Sequence, residues 1–147
     1  MKESAGVIIV LNKKDEEKKI LICHPSNTTK WYNSYSFPKG GIYSGETIKQ
    51  AAVRELFEET SVKVNSNLLN EDPMILDYYS FKNKDEIFKR IYLYVYYIND
   101  ISEIGLKDEV IPKEKLQLEE VDWAGFLTIT ESRLRLFYKS TSILNKI

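Results

Sequence analysis

The passage that most constrains the fold runs from Phe37 to Val62, FPKGGIYSGETIKQAAVRELFEETSV. Its first part reads as an irregular loop. Pro38 lacks a backbone donor and biases Phe37 towards an extended conformation, while glycines at 40, 41 and 45 open tight turns. Its second part reads as a helix. Ile48 to Thr60 contains neither glycine nor proline and is rich in helix formers. Thr47 and Gln50 stand at capping-box spacing ahead of it. At about 100° per residue, Glu55, Glu58 and Glu59 share one face as an i, i+3, i+4 set. Val53, Leu56 and Phe57 point elsewhere and are expected to anchor the helix in the core. Ala51 and Ala52, one turn earlier, leave room for another segment, with the glycine loop the obvious candidate.

Carboxylates crowded in this way repel. At a separation of about 4 Å and an effective dielectric near 20, each pair costs roughly 4 kcal/mol. Arg54 offsets part of that, and a divalent cation would offset more. An all-oxygen donor set suits Mg²⁺, with Mn²⁺ as substitute, rather than zinc. An acidic run on a helix is by itself usually a solvated face. Here Gly40, Glu46, Arg54, Glu55, Glu58 and Glu59 also stand at set offsets, with Leu56 and Val62 apolar among them. Six such positions coincide by chance on the order of once in 10⁵ shuffled chains.

This pattern resembles the Nudix box, G-x5-E-x7-R-E-U-x-E-E-x-G-U, where U is a bulky aliphatic residue. The match holds at Gly40, Glu46, Arg54, Glu55, Leu56, Glu58, Glu59 and Val62, and fails at one place, where Ser61 replaces a glycine. That glycine normally lets the chain leave the helix with a positive φ; serine is expected to end the helix in another way. The resemblance implies an α/β fold, a Nudix α/β/α sandwich with a mixed sheet between helices and a loop-helix-loop catalytic motif. It implies Mg²⁺-dependent hydrolysis of a pyrophosphate bond in a nucleoside diphosphate linked to another group. By the same resemblance Glu55, Glu58, Glu59 and the Gly40 carbonyl hold metal, Arg54 orients those glutamates, and Glu46 fixes the loop against the helix. The general base is a box glutamate, Glu55 above all, in some relatives and a glutamate outside the box in others. Glu119 and Glu120 precede Trp123 in LEEVDW, and the Glu-x-x-x-Trp spacing favours Glu119. The lead-in FPKGG resembles the branch that hydrolyses dinucleoside polyphosphates such as diadenosine tetraphosphate, and its kin that remove pyrophosphate from RNA 5′ ends. In that setting Lys39 offers a mobile positive charge to a phosphate chain. Some proteins of this fold bind nucleotides as regulators without turning them over. These usually lose box glutamates, whereas this chain keeps them all.

The 147 residues are expected to form a single domain with a real core. A net charge of −1 gives no general polyanion-binding surface, so stable DNA binding is not expected and an RNA partner would need a local patch. One cysteine excludes an internal disulfide framework, and one histidine excludes a histidine metal cluster. No signal-peptide pattern or membrane-length apolar run is visible, so a cytoplasmic protein is expected. Oligomeric state is left open.

In chain order, 4–11 and 20–23 read as paired strands around a charged turn, with Cys23 buried and His24 at a solvent or substrate edge. The polar stretch 26–37 leads into a short strand at 35–37. Its aromatics, Trp31, Tyr32 and Tyr35, are candidate base-stacking residues as well as candidate core. Residues 62–64 open another strand. Residues 74–81 and 87–98 form a hairpin whose second arm, aromatic and β-branched, is buried on both faces and offers Lys89 and Arg90 to phosphates. Residues 99–116 are a charged, mobile connection. After a strand in LEEVDWAGF, a final helix starts near Thr128 behind a second capping box with Glu131, with Leu134, Phe137, Tyr138 and Ile143 along its apolar side.

Overall fold

The apolar run 4–11 forms all but the first two residues of strand β1 (Lys2–Leu11), which is buried from Ala5 onwards. The computed structural model describes residues 1–27, 34–69 and 72–147. Strand β2 (Lys19–Pro25) returns antiparallel to β1, as the charged turn between them requires. β3 (Lys39–Gly41) also pairs antiparallel with β1, placing Gly40 beside Ala5. β4 (Met74–Tyr79) and β5 (Ile87–Ile98) form the expected hairpin. β5 then lies parallel to β1 from Lys2↔Lys89 to Leu11↔Ile98, and β6 (Val121–Thr128) closes the other side of β2. The mixed sheet has the order β4-β5-β1-β2-β6, with β3 beside β1.

Helices cover both faces, which makes the fold an α/β/α sandwich. α1 (Ile48–Thr60) packs on β1 and β3, over a core of Val7, Ile9, Leu21 and Phe126. On the opposite face α2 (Ile129–Arg135) and the short α3 (Thr141–Leu144), with Leu136 between them, cover Ile8, Val10, Ile20 and Ile22. Both capping boxes are formed, Thr47 with Gln50 and Thr128 with Glu131. Among the described residues no helix is long and apolar enough to cross a membrane.

Several local expectations are overturned. Residues 62–64 form no strand: Ser61 leaves α1 in a left-handed conformation tied to Lys115, and the segment after it pairs with none of the six strands. Val62 is instead buried as part of an irregular segment. Residues 35–37 make only isolated bridges, Tyr35 to Leu136 and Ser36 to Cys23. β5 is buried in its middle, but Phe88 and Tyr97 are exposed near its ends. The final helix stops at Arg135, where Leu136 turns extended. Leu134 and Tyr138 are therefore exposed, and Ile143 is buried from a separate helix. The connection 99–116 carries two 3₁₀ turns and buries Leu106 and Ile111, so it is a packed segment. Ser61 takes the very conformation expected of the missing glycine, φ 64°, and its hydroxyl donates to the Lys115 carbonyl at 2.6 Å.

Candidate active site

The buried stripe of α1 is Ala51, Ala52, Glu55, Leu56, Glu59 and Thr60. Two carboxylates thus lie inside the apolar stripe, whereas Phe57 is 44% exposed with the Lys63 ammonium 5.2 Å from its ring centre. Phe57 is not a core anchor. The reason lies in β3. Glu55 packs directly on Gly40, where an added Cβ would stand 2.2 Å from the Glu55 carboxyl carbon. Only glycine admits the side chain there. Glu59 lies one turn on, 6% exposed.

Arg54 ties the helix to the loop. Its Nε and Nη2 make a fork on Glu46, at 3.1 and 2.7 Å, and Nη2 also donates to the Gly41 carbonyl at 2.7 Å. Nη1 donates to Glu55 at 2.8 Å and to Glu58 at 3.2 Å. Tyr43 completes the clamp: its N–H donates to Glu46, and its ring lies 3.7 Å from the guanidinium carbon. Charge-assisted pairing holds the Glu46 carboxyl below its ordinary pKa and the guanidinium above its own, with Glu46 the largest contributor.

The buried acids respond in the opposite direction. Burial raises the pKa of Glu55 in spite of Arg54. Burial, and then the Glu55 charge, push that of Glu59 up to about 8. The donor set here is oxygen only, and a hard divalent cation is the partner that would hold both carboxylates ionised. Among the described residues no three acidic, cysteine or histidine side chains already converge on one point. Glu58 is turned to Arg54 and exposed.

Outside the box, both Glu119 and Glu120 are exposed on the turn before β6. The Glu120 charge is among the causes that raise the pKa of Glu55 and Glu59, which makes it a candidate beside Glu119. Trp31 and Tyr32 lie outside the described residues. Tyr35 is 7% exposed, with its ring against His24 and Trp123, and is packed as core rather than presented for stacking. Arg90 is held by Asp77 through two bonds, at 2.7 and 2.9 Å. His24 is fully buried, not at an edge, with its Nδ1 hydrogen-bonded to Asp122 Oδ1 at 2.6 Å.

Lys89 and Arg90 cannot serve together, since neighbours on a strand point to opposite faces. Lys89 shares the face of Ile91 and Leu93, opposite α1. There its ammonium lies 5.5 Å from the centre of the Tyr78 ring, and that of Lys139 lies 4.9 Å away. Burial first, then Lys39 and Lys2, lowers the Lys89 pKa, and Lys2 pairs with Lys89 across β1 and β5. The Tyr78 and Phe137 rings stand nearly parallel, 8° apart in plane and 6.1 Å between centres. This aromatic and basic cluster escaped the sequence reading. Strand alternation could have separated Lys89 from Arg90, but nothing local joins Tyr78 to Phe137 across the chain.

The profile of the NUDIX domain matches residues 2–140. An RNA pyrophosphohydrolase of Edwardsiella ictaluri (strain 93-146) is 46% identical over 48 residues, 29% of this chain and 27% of that protein. The chain therefore matches only about a quarter of that relative's length. The crystal structure of a C. elegans Ap4A hydrolase binary complex superposes with a TM-score of 0.68 at 20% identity, covering 99% of this chain and 94% of the other. A bifunctional NMN adenylyltransferase/ADP ribose pyrophosphatase from Francisella tularensis, complexed with AMP and a Mn ion, gives a TM-score of 0.57 at 22% identity, covering 99% of this chain and 41% of the other. These two structural likenesses speak for the fold alone.

Proposed function

This chain belongs to the NUDIX domain family, and from that premise we propose that it is a divalent-cation-dependent pyrophosphohydrolase. Its substrate is a nucleoside diphosphate linked to a further group, with a dinucleoside polyphosphate such as diadenosine tetraphosphate the first choice. The observation that carries the reaction class is the burial of Glu55 against Gly40 and of Glu59 one turn on, with Arg54 bound to both Glu55 and Glu58. Two carboxylates at 6% exposure are costly to ionise together without a cation, and hard-cation chemistry accounts for their placement.

Glu55, Glu58, Glu59 and the Gly40 carbonyl would hold Mg²⁺ or Mn²⁺, for which Glu58 must turn away from Arg54. When bound, such an ion neutralises charge on phosphate oxygens and lowers the pKa of a coordinated water. The protein's own groups do the rest. Arg54, gripped by Glu46 and Tyr43, keeps α1 in register with the loop. Glu120 or Glu119, on an exposed turn, is the candidate to take a proton from the attacking water, and Glu55 is the alternative. On the opposite sheet face Lys89 and Lys139 both reach the Tyr78 ring, and Lys39 stands opposite Gly6 on β1. That run of charge suits a phosphate chain, and the parallel Tyr78 and Phe137 rings suit a base.

A second reading, RNA 5′-end pyrophosphohydrolysis, is favoured by the matched stretch of the Edwardsiella ictaluri relative. Purified protein assayed with Mg²⁺ or Mn²⁺ against diadenosine tetraphosphate and triphosphorylated RNA, with products resolved by ion exchange, separates the two. Asymmetric cleavage of the dinucleotide supports the first reading, and release of pyrophosphate from RNA alone supports the second. EDTA should abolish either activity. Metal and nucleotide binding without turnover of these or other nucleotides would overturn the hydrolase assignment and leave a regulatory binding role.

A further inference from the structure

His24 has no part in the reaction as described, yet it is fully buried. A residue at 0% exposure does not reach substrate, so any influence on the site passes through its neighbours. Its Nδ1 donates to Asp122 Oδ1 at 2.6 Å. Its ring lies 4.9 Å from that of Tyr35, which in turn meets Trp123 edge-on.

The setting of Asp122 is unusual. β2 and β6 pair without interruption from Lys19↔Thr128 to His24↔Trp123, and the next pair is Pro25↔Val121. Asp122 is therefore the extra residue of a bulge, a device that re-aims the chain next to it. Just beyond, the Ser26 N–H donates to the Glu120 carbonyl at 2.9 Å, and the Ser26 hydroxyl donates to the Leu118 carbonyl at 2.7 Å. The turn itself is closed by the Glu120 and Val121 N–H groups, both on the Gln117 carbonyl. The end of β2 thus grips residues 118, 120 and 122, and Val121, beside Glu120, packs into the same core cluster as Ala52 and Leu56 of α1, the helix that carries Glu55 and Glu59.

We propose that His24, supported by Ser26, is a positioning residue that fixes the 118–122 turn and so presents Glu120 to the metal-binding carboxylates of α1. The inference rests on the reading that those carboxylates hold a divalent cation. The Asp122 bond pins the extra residue of the bulge, and once it is removed the turn depends on the two Ser26 bonds and its own closure. Partners that orient a metal site from behind typically contribute roughly 10- to 100-fold to metal affinity.

The test is a Mn²⁺ titration followed by electron paramagnetic resonance, together with thermal unfolding in EDTA. It is run on wild type, Glu120→Gln, His24→Phe, His24→Asn and the double variant Glu120→Gln/His24→Phe. His24→Phe keeps the ring packing and removes the donor, whereas His24→Asn restores a donor near the Nδ1 position. The expected result is that Glu120→Gln and His24→Phe each weaken Mn²⁺ binding about tenfold. The double variant should be no weaker than Glu120→Gln alone, and His24→Asn should recover most of the loss. If His24→Phe does not fold, Ser26→Ala, at a partly exposed position, takes its place in the same cycle. An undiminished effect of His24→Phe in the Glu120→Gln background would overturn the proposal. So would a loss of thermal stability with Mn²⁺ affinity untouched, or a Glu120→Gln variant that binds like wild type. Wild type that binds no Mn²⁺ at millimolar concentration would instead refute the metal-site reading on which the inference stands.

Discussion

Replacing Glu59 by glutamine removes an ionisable group from a site 6% exposed while keeping its volume. The Glu59 pKa is pushed from an ordinary 4.5 up to about 8, by burial first and by the Glu55 charge second. An acid whose folded pKa lies above its unfolded one keeps its proton in the folded state after the unfolded chain has lost it. Its contribution to stability is complete below pH 4.5 and is lost as pH rises towards 8. Between those values this one group costs the metal-free protein about 1.4 kcal/mol per pH unit, or about 3 kcal/mol by pH 7 and about 5 by pH 8. The assay is urea unfolding in EDTA at pH 5, 6, 7 and 8 for wild type and Glu59→Gln. The variant should gain on wild type as pH rises, with a swing of several kcal/mol across the range. Saturating Mn²⁺ should restore wild type, because the cation binds the ionised carboxylate, and should do so more at pH 8 than at pH 6. Parallel stability curves for the two proteins would refute the argument, since burial of Glu59 would then carry no proton-linked cost.

Gly40→Ala should fold but lose metal affinity by at least about tenfold, measured by the same Mn²⁺ titration, because the new methyl group would occupy the Glu55 carboxyl position. At Ser61, alanine should lower stability by about 1–2 kcal/mol in urea unfolding. It keeps the cost of a left-handed residue and loses the bond to Lys115, whereas glycine trades that bond for relief of the backbone and should stay within about 1 kcal/mol of wild type. Tyr78→Ala should raise the KM for diadenosine tetraphosphate by roughly tenfold, with little change in kcat, if its ring takes a base as proposed; an unchanged KM would remove the aromatic cluster from the substrate path.

Elements set by nearest neighbours are legible in the amino-acid order. The helix at 48–60 follows from its capping box and the absence of breakers, and the hairpin at 74–98 from β-branched and aromatic runs around a polar turn. The pairing of Arg54 with Glu46 and Glu58 lay within reach because their offsets are short and helical spacing is rigid. What failed needed knowledge of which surface each face would meet. Phe57 had every local reason to be core and Glu55 none. The order was inverted only when β3 brought a glycine without a side chain against the helix. His24 offered no local sign that a bulged Asp122 waits on a strand 98 residues away. Tyr78 and Phe137 meet only because β4 and the segment after α2 lie on the same sheet face. Hydrophobic period and capping act over a turn of chain, so the amino-acid order alone determined the helix, the strands and the acidic motif. Burial of the carboxylates, the His24–Asp122 bond and the aromatic pair depend on packing between distant segments. Those features were decided only when the sheet closed.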